Sequence, residues 1–387
     1  MTKPIRSADI FCRVIDNFGD AGVCWRLARL MARAGLSVRL WIDDLVRLHR
    51  LRPQLDLSIA RQTLDGFLVL HWTDDDNLSN GYQPADLVIE AFACRMPDAM
   101  LERIASTSPR PAWINLEYLT AERWAKESHG LPSPHPRLPL TQYFFFPGFS
   151  QGSGGLLREH ELSDECASVD VTARSAFLQR LNVHVPQDAM LISLFCYPQA
   201  PLEALLDRMR QGPRVMCLVP EGVPSEAIRA IIGNNNENNF GKSASAGDEI
   251  TQGQLTLRVI PFLEPDDYDR LLWSCDLNFV RGEDSLVRAH WAGHPFIWQL
   301  YAQEADAHQI KLEAFLADFC DGMDEADARV VRSFWQAWNG DSKAVMDWQA
   351  LCAALPGLAL HHQRWASQVA LAGELSAGIV EFAAKIG

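Results

Sequence analysis

The stretch Asp16-Asn17-Phe18-Gly19-Asp20-Ala21-Gly22 decides the fold class through what flanks it. Before it runs a short apolar segment: Ile10, Phe11, Cys12, Val14 and Ile15. After it, Cys24, Leu27, Ala28, Leu30 and Met31 recur at helical spacing. The pattern predicts a strand over 10–15 that turns into a helix over 23–34, with Gly35 as its stop. In an open α/β sheet such a corner lies at the carboxyl end of the strand, where ligands bind. The glycines let a ligand approach the backbone closely. The paired carboxylates make the corner a poor phosphate cradle. They suit acid–base work on an acceptor, or the gripping of a cation. A plainer reading stands beside this one: Asp16 caps the turn and Asp20 is the N-cap of the helix. The two roles can coexist.

Working outward, the first third alternates strands and helices. Further strands are expected over 37–42, 87–92, 112–116 and 141–146, with a helix start near Met96-Pro97 and a glycine-rich loop over 148–155. Short apolar runs separated by helices indicate a mostly parallel sheet. From about residue 165 the alternation begins again. Strands are expected over 189–195, 215–219, 255–260, 277–280 and 295–298, and helices over 202–210, 224–232 and 284–292, the last stopped by Gly293. The stretch 234–247, rich in Asn, Ser and Gly, lacks an apolar period and reads as a surface loop. After Glu304 the pattern is helical almost to the end, with a break at Pro356-Gly357. The expected fold class is α/β: two Rossmann-like domains facing a cleft, with a final helix over 371–386 crossing back to the first. The expected domains are 1–165, with 366–387 packing back, and 166–365.

Composition narrows the function. The chain has 387 residues, 48% hydrophobic and 22% charged, which is enough to build sizeable cores. No apolar run is long enough for a membrane span, and the first residues lack a secretory pattern. Nine cysteines, an odd number with no Cys-x-x-Cys pair, read as buried free thiols in a reducing compartment, so the cytoplasm is expected. His361-His362 has no patterned acidic or cysteine partner and is not read as a metal site. A net charge of −14 disfavours nucleic-acid binding and suits a partner with a basic patch. No Gly-x-Gly-x-x-Gly follows the first strand, which argues against a nicotinamide-dependent enzyme.

A second polar corner is Phe279-Val280-Arg281-Gly282-Glu283-Asp284-Ser285-Leu286-Val287-Arg288-Ala289. Here Ser285 or Asp284 can cap a helix whose free N–H groups and positive dipole end receive a diphosphate, with Arg281 adding a charge-assisted contact. An ordinary strand–helix turn is the alternative. Phe195, Tyr197 and Phe262 follow strand ends, and Tyr268 opens a helix. Such rings can stack on a planar base. Core packing is the expectation for Phe195, and partial exposure for Tyr197 and Tyr268.

These features resemble GT-B glycosyltransferases. More narrowly, Asp-Asn-Phe-Gly-Asp-Ala-Gly-Val-Cys-Trp-Arg-Leu-Ala-Arg (16–29), Arg-Gly-Glu-Asp-Ser-Leu-Val-Arg-Ala (281–289) and Pro-Phe-Ile-Trp-Gln (295–299) resemble the bacterial elongation factor P maturation arginine rhamnosyltransferases, the EarP family. The resemblance spans nearly the whole chain. It implies transfer of rhamnose from dTDP-β-L-rhamnose to an arginine of elongation factor P, a post-translational modification of a translation factor. It further implies inversion at the anomeric carbon and no metal or other cofactor. By resemblance, Asp16, Asp20 and Glu283 are the functional carboxylates, with Asp20 the favoured base. Asn17, Phe18, Gly19, Phe195, Tyr197, Phe262, Tyr268, Arg281, Asp284 and Ser285 match donor-binding positions. The alternatives are a GT-B enzyme with another nucleotide sugar and a small acceptor, and a non-enzymatic adaptor on a translation factor.

Overall fold

The computed structural model describes residues 4–16, 18–73, 81–222, 228, 244–302 and 307–387. The chain divides into two compact units, Met1–Glu159 with Gln368–Gly387, and His160–Ser367.

The first unit is built on β1 (Ser7–Cys12), β2 (Ser37–Ile42), β3 (Arg61–Leu64), β4 (Phe67–His71), β5 (Leu87–Ala91), β6 (Ala112–Leu116), β7 (Pro132–Pro134) and β8 (Thr141–Phe145). Their spatial order is β3-β4-β2-β1-β5-β6-β8-β7. The six strands from β4 to β8 in that order are parallel, and β3 and β7 are antiparallel edges. The chain winds outward from β1 in both directions, so the switch point lies between β1 and β5. The buried carboxylate of Asp9 in β1 ties the sheet together. It accepts from Arg39 Nε at 2.5 Å, Tyr82 OH at 2.9 Å, the Ala85 N–H at 3.0 Å and Trp41 Nε1 at 3.1 Å.

Two sequence expectations change here. β1 ends at Cys12 rather than at residue 15, because the Val14 N–H turns to Asp43 Oδ1 and the Ile15 N–H to Asp20 Oδ2, leaving the ladder. β4 was not expected at all. It enters through Asp65 and Gly66, at φ 51° and 89°, the positive-φ pair of a two-residue hairpin turn. The glycine-rich loop over 148–155 serves close backbone packing. A Cβ on Gly155 would lie 2.2 Å from the Gly373 carbonyl oxygen. The bonds Leu156 N–H to Gly373 O and Leu375 N–H to Leu156 O run past it, tying the last helix, Leu375–Ile386, to this unit. Phe382 of that helix packs edge-on against Tyr143 and Phe145.

The second unit holds β9 (Met190–Leu194), β10 (Val215–Pro220), β11 (Glu249–Gln252), β12 (Leu255–Ile260), β13 (Leu277–Arg281) and β14 (Phe296–Gln299), in the order β11-β12-β10-β9-β13-β14. All but the antiparallel edge β11 are parallel, and the switch point lies between β9 and β13. The expected helix over 224–232 lies outside the described residues, Ile228 excepted, as does 234–243 of the expected loop.

The helical part contains Ala307–Phe319, Glu325–Trp338 and Trp348–Ala370. The expected break at Pro356-Gly357 does not occur, since the last of these helices runs through Pro356. A proline forfeits one helical hydrogen bond, which burial of the flanking turns offsets. Gly357 is there for room: a Cβ would come within 2.6 Å of Asp327 Oδ2. These helices bury a ring cluster of Phe296, Phe315, Phe319, Trp335 and Trp365 around His290 and His362. His361 and His362 serve the backbone, at the Phe319 carbonyl and between the Leu358 carbonyl and the Phe296 N–H.

Burial pushes His362 down to about 3 and His290 well below its usual value. Unfolded, both titrate near 6.5, so as pH falls from about 6.5 toward 3 the unfolded chain takes up protons that the native state refuses. Stability is therefore expected to fall across that window, by up to about 1.4 kcal/mol per pH unit for each imidazole. Urea unfolding at pH 5.0 and 7.5 checks this. His362→Gln should reduce the slope.

Candidate active site

In the first unit, the helix Gly19–Arg33 begins where the loop from β1 ends. Its N-cap is Phe18, with no side-chain capping bond. Asp20 is thus the second helical residue and not the cap. Its carboxylate, 2% exposed, reaches back so that Oδ2 accepts the N–H groups of Ile15 and Asp16, both at 2.8 Å. Asp16 closes the turn through its carbonyl, which accepts the Gly19 N–H at 2.7 Å. Its carboxylate lies against Gly19, where a Cβ would stand 2.7 Å from Oδ2. Asp16, Phe18, Gly19 and Asp20 are thereby drawn together at the carboxyl end of β1, and Asn17 lies outside the described residues. Gly19→Ala is expected to displace the Asp16 carboxylate and, if that carboxylate is the functional group the sequence suggests, to cut turnover by about tenfold or more, since small misplacements of reacting groups are costly. Steady-state kinetics beside a melting curve would check that the loss is not one of folding.

The neighbouring corner after β5 carries strain that the sequence did not signal. Phe92, Ala93 and Arg95 adopt φ of 57°, 50° and 54°, a left-handed conformation that costs non-glycine residues about 1–2 kcal/mol each. The surroundings hold it. Phe92 donates its N–H to the Leu116 carbonyl and stacks on Tyr118, and Ala93 donates to Asn115 Oδ1. Glu90 accepts from the Met96 N–H and from Gln142, and burial pushes its carboxyl up.

In the second unit, Phe195, Tyr197, Tyr268, Arg281 and Ser285 converge where β9 and β13 end. The Arg281 guanidinium stands 4.3 Å from the ring centre of Phe195 and 4.7 Å from that of Tyr197, and its Nη1 donates to the Cys196 carbonyl at 2.9 Å. Tyr268 packs on Phe195, and burial pushes its hydroxyl up. Phe262 is half-buried beyond the end of β12. Tyr268 is half-buried as expected, but the expected exposures of the other two are reversed: Tyr197 is buried and Phe195 half-buried, because Gln299 Oε1 accepts the Tyr197 N–H at 2.7 Å and draws it inward. One face of each ring is taken by Arg281, leaving less for a base than free rings would offer.

The helix Asp284–Ala292 opens at Glu283, which is its N-cap, with no side-chain capping bond. Neither Ser285 nor Asp284 caps it. Ser285 Oγ instead closes the turn on the Arg281 peptide, accepting its N–H and donating to its carbonyl. The N-cap side chain thus makes no bond to the first N–H groups of the helix, the groups that can receive an anion. Glu283 pairs with Lys311 at 2.9 Å. Sequence reasoning missed Lys311 and Gln299. Gln299 lay within a quoted motif, while Lys311 gave no signal, its partner being 28 residues away.

A family model described as Elongation-Factor P (EF-P) rhamnosyltransferase EarP matches residues 8–384. The chain belongs to that family. A Pseudomonas putida protein named protein-arginine rhamnosyltransferase is 44% identical over 97% of this chain and 97% of its own length. One from Pseudomonas aeruginosa with the same name is 41% identical over 97% and 98%. A solved structure concerned with EarP-mediated arginine glycosylation of translation elongation factor EF-P has a TM-score of 0.65 at 33% identity, covering 97% of this chain and 98% of that one. The fold is accordingly GT-B, and the chain is an enzyme, a protein-arginine rhamnosyltransferase. No helix among the described residues is long and apolar enough to cross a membrane.

Proposed function

We propose that this enzyme transfers rhamnose from dTDP-β-L-rhamnose, with inversion, to an arginine side chain of elongation factor P, and that it does so in the cytoplasm without a metal. The observation that carries the reading is the placement of Asp16 and Asp20 at the switch point of the first unit, where a cationic acceptor would be held. The relatives' name and the family description support rhamnose, arginine and elongation factor P. Nine free cysteines, seven of them buried, suit a reducing compartment.

In this reading the acceptor guanidinium arrives protonated, since arginine titrates above about 12. Asp16 and Asp20 orient it by charge-assisted hydrogen bonds. One guanidinium nitrogen attacks the anomeric carbon, the C–N bond forms as the bond to the diphosphate oxygen breaks, and the configuration inverts. The attacking nitrogen becomes acidic as it bonds to carbon, and its proton passes to the Asp20 carboxylate. The electron pair leaves with the diphosphate. Arg281 and the start of the helix Asp284–Ala292 stabilise that leaving group as preorganised positive charge.

Mass spectrometry tests the proposal. Purified enzyme, elongation factor P and dTDP-β-L-rhamnose, incubated with a chelator, should add one deoxyhexose to one arginine. An α-linked product establishes inversion by NMR. No mass increment with this pair, but one with another nucleotide sugar or a small acceptor, would replace the reading with the broader glycosyltransferase one.

A further inference from the structure

We propose that Lys311 is a positioning residue for the transfer, acting through Glu283; this rests on the reading of Glu283 as a functional carboxylate. The turn carrying Glu283 is fixed by β14. Trp298 Nε1 donates to the Gly282 carbonyl at 2.7 Å, and the Gly282 N–H donates to the Gln299 carbonyl at 3.0 Å. Gly282 itself stands at φ 60°. These bonds set where the Glu283 backbone lies, but a glutamate side chain still has several freely rotating bonds beyond its Cα. The bond from Lys311 Nζ to Glu283 Oε1, at 2.9 Å, removes that freedom for the carboxylate.

An ion pair open to water contributes little and holds geometry loosely. This one is not open, since both side chains are only 15% exposed. Its cation is carried on a rigid support. Lys311 belongs to the helix Ala307–Phe319, whose Leu312, Phe315, Leu316 and Phe319 are buried. Two residues before Lys311, Gln309 Nε2 donates to the Asn339 carbonyl at 2.6 Å. Asn339 in turn clamps the end of β14, accepting the Leu300 N–H and donating to the Trp298 carbonyl, both at 2.8 Å. The same strand end therefore fixes the Glu283 turn on one side and, through Asn339, the helix bearing Lys311 on the other. The carboxylate is held from two directions by one scaffold, the arrangement that precise functional geometry needs.

A double-mutant cycle tests this. Lys311→Met is expected to lower kcat by about tenfold or more, in line with the cost of misplacing a reacting group. KM for the protein acceptor and the donor dissociation constant should each change by less than about threefold, because the lysine acts through Glu283 and not on either substrate. Lys311→Arg, which keeps the charge and a donor, should recover most of the loss. In a Glu283→Gln background, Lys311→Met should add less than about twofold, as coupled positions do. An equal loss in both backgrounds, or a weakened donor with kcat unchanged, would overturn the positioning role and place the lysine on the donor. Should Glu283→Gln alone turn over like wild type, the reading of Glu283 fails instead. Melting curves of all variants separate these results from misfolding, and Lys311→Gln, with the same expected outcomes, carries the test if the methionine variant does not fold.

Discussion

On the proposed mechanism, replacing Asp20 with asparagine is expected to slow rhamnosyl transfer by about a hundred- to ten-thousand-fold, the usual worth of a general base, while donor affinity stays within about threefold, because in that mechanism the change removes proton acceptance and not a donor contact. The structure makes this substitution informative. Asp20 Oδ2 accepts two backbone N–H groups, from Ile15 and Asp16. An asparagine carbonyl oxygen can accept both, so the loop keeps its shape while the side chain loses its capacity to take a proton. Asp20→Ala is the poorer probe. It would strand two N–H groups beside a buried position, and its loss would mix loop collapse with chemistry. Isothermal titration with dTDP-β-L-rhamnose and single-turnover kinetics on elongation factor P, run side by side, check both halves. An asparagine variant that turns over near the wild-type rate would remove Asp20 from the proton path.

How much of this was legible before the structure differs between corner and contact. The two polar corners were legible because each couples an apolar strand, a glycine-bearing turn and a helical period within a dozen residues. The strand length was not. Val14 and Ile15 look like strand residues, yet Ile15 is 61% exposed, because its N–H is spent on a carboxylate five positions later. β4 was in principle readable, since Asp65-Gly66 is a hairpin signal directly before the apolar run 67–70. The exposures of Phe195 and Tyr197 were not readable. They depend on Arg281 and Gln299, which β13 and β14 bring across from 84 to 102 positions away in sequence, and no local period reports that. The strained turn at Phe92–Arg95 carries no glycine to announce it. It is stabilised by Asn115 and the Leu116 carbonyl of the next strand, so its conformation is a property of the sheet and not of the segment.

The second large effect concerns Arg281. Arg281→Met is expected to weaken dTDP-β-L-rhamnose binding by about ten- to a hundredfold, the scale of one charge-assisted hydrogen bond to a phosphate. Arg281→Lys should recover little. The guanidinium does three things at once: it lies over Phe195, lies over Tyr197, and donates to the Cys196 carbonyl. A lysine ammonium is compact and strongly hydrated. It lacks the flat face that stacks on rings and the fork that reaches a carbonyl and a phosphate together. On the proposed reading, the substitution removes the donor's charge partner and loosens the two rings that would receive its base. Turnover at saturating donor should fall as well, because stabilisation of the leaving diphosphate is worth most as the glycosidic bond breaks. If Arg281 served only to organise the rings, Lys and Met would differ little and kcat at saturation would be unchanged. If it acted only as a charge, Lys would restore both. Titration of the three proteins with dTDP and with dTDP-β-L-rhamnose, followed by kinetics at saturation, distinguishes the combined role from either alone.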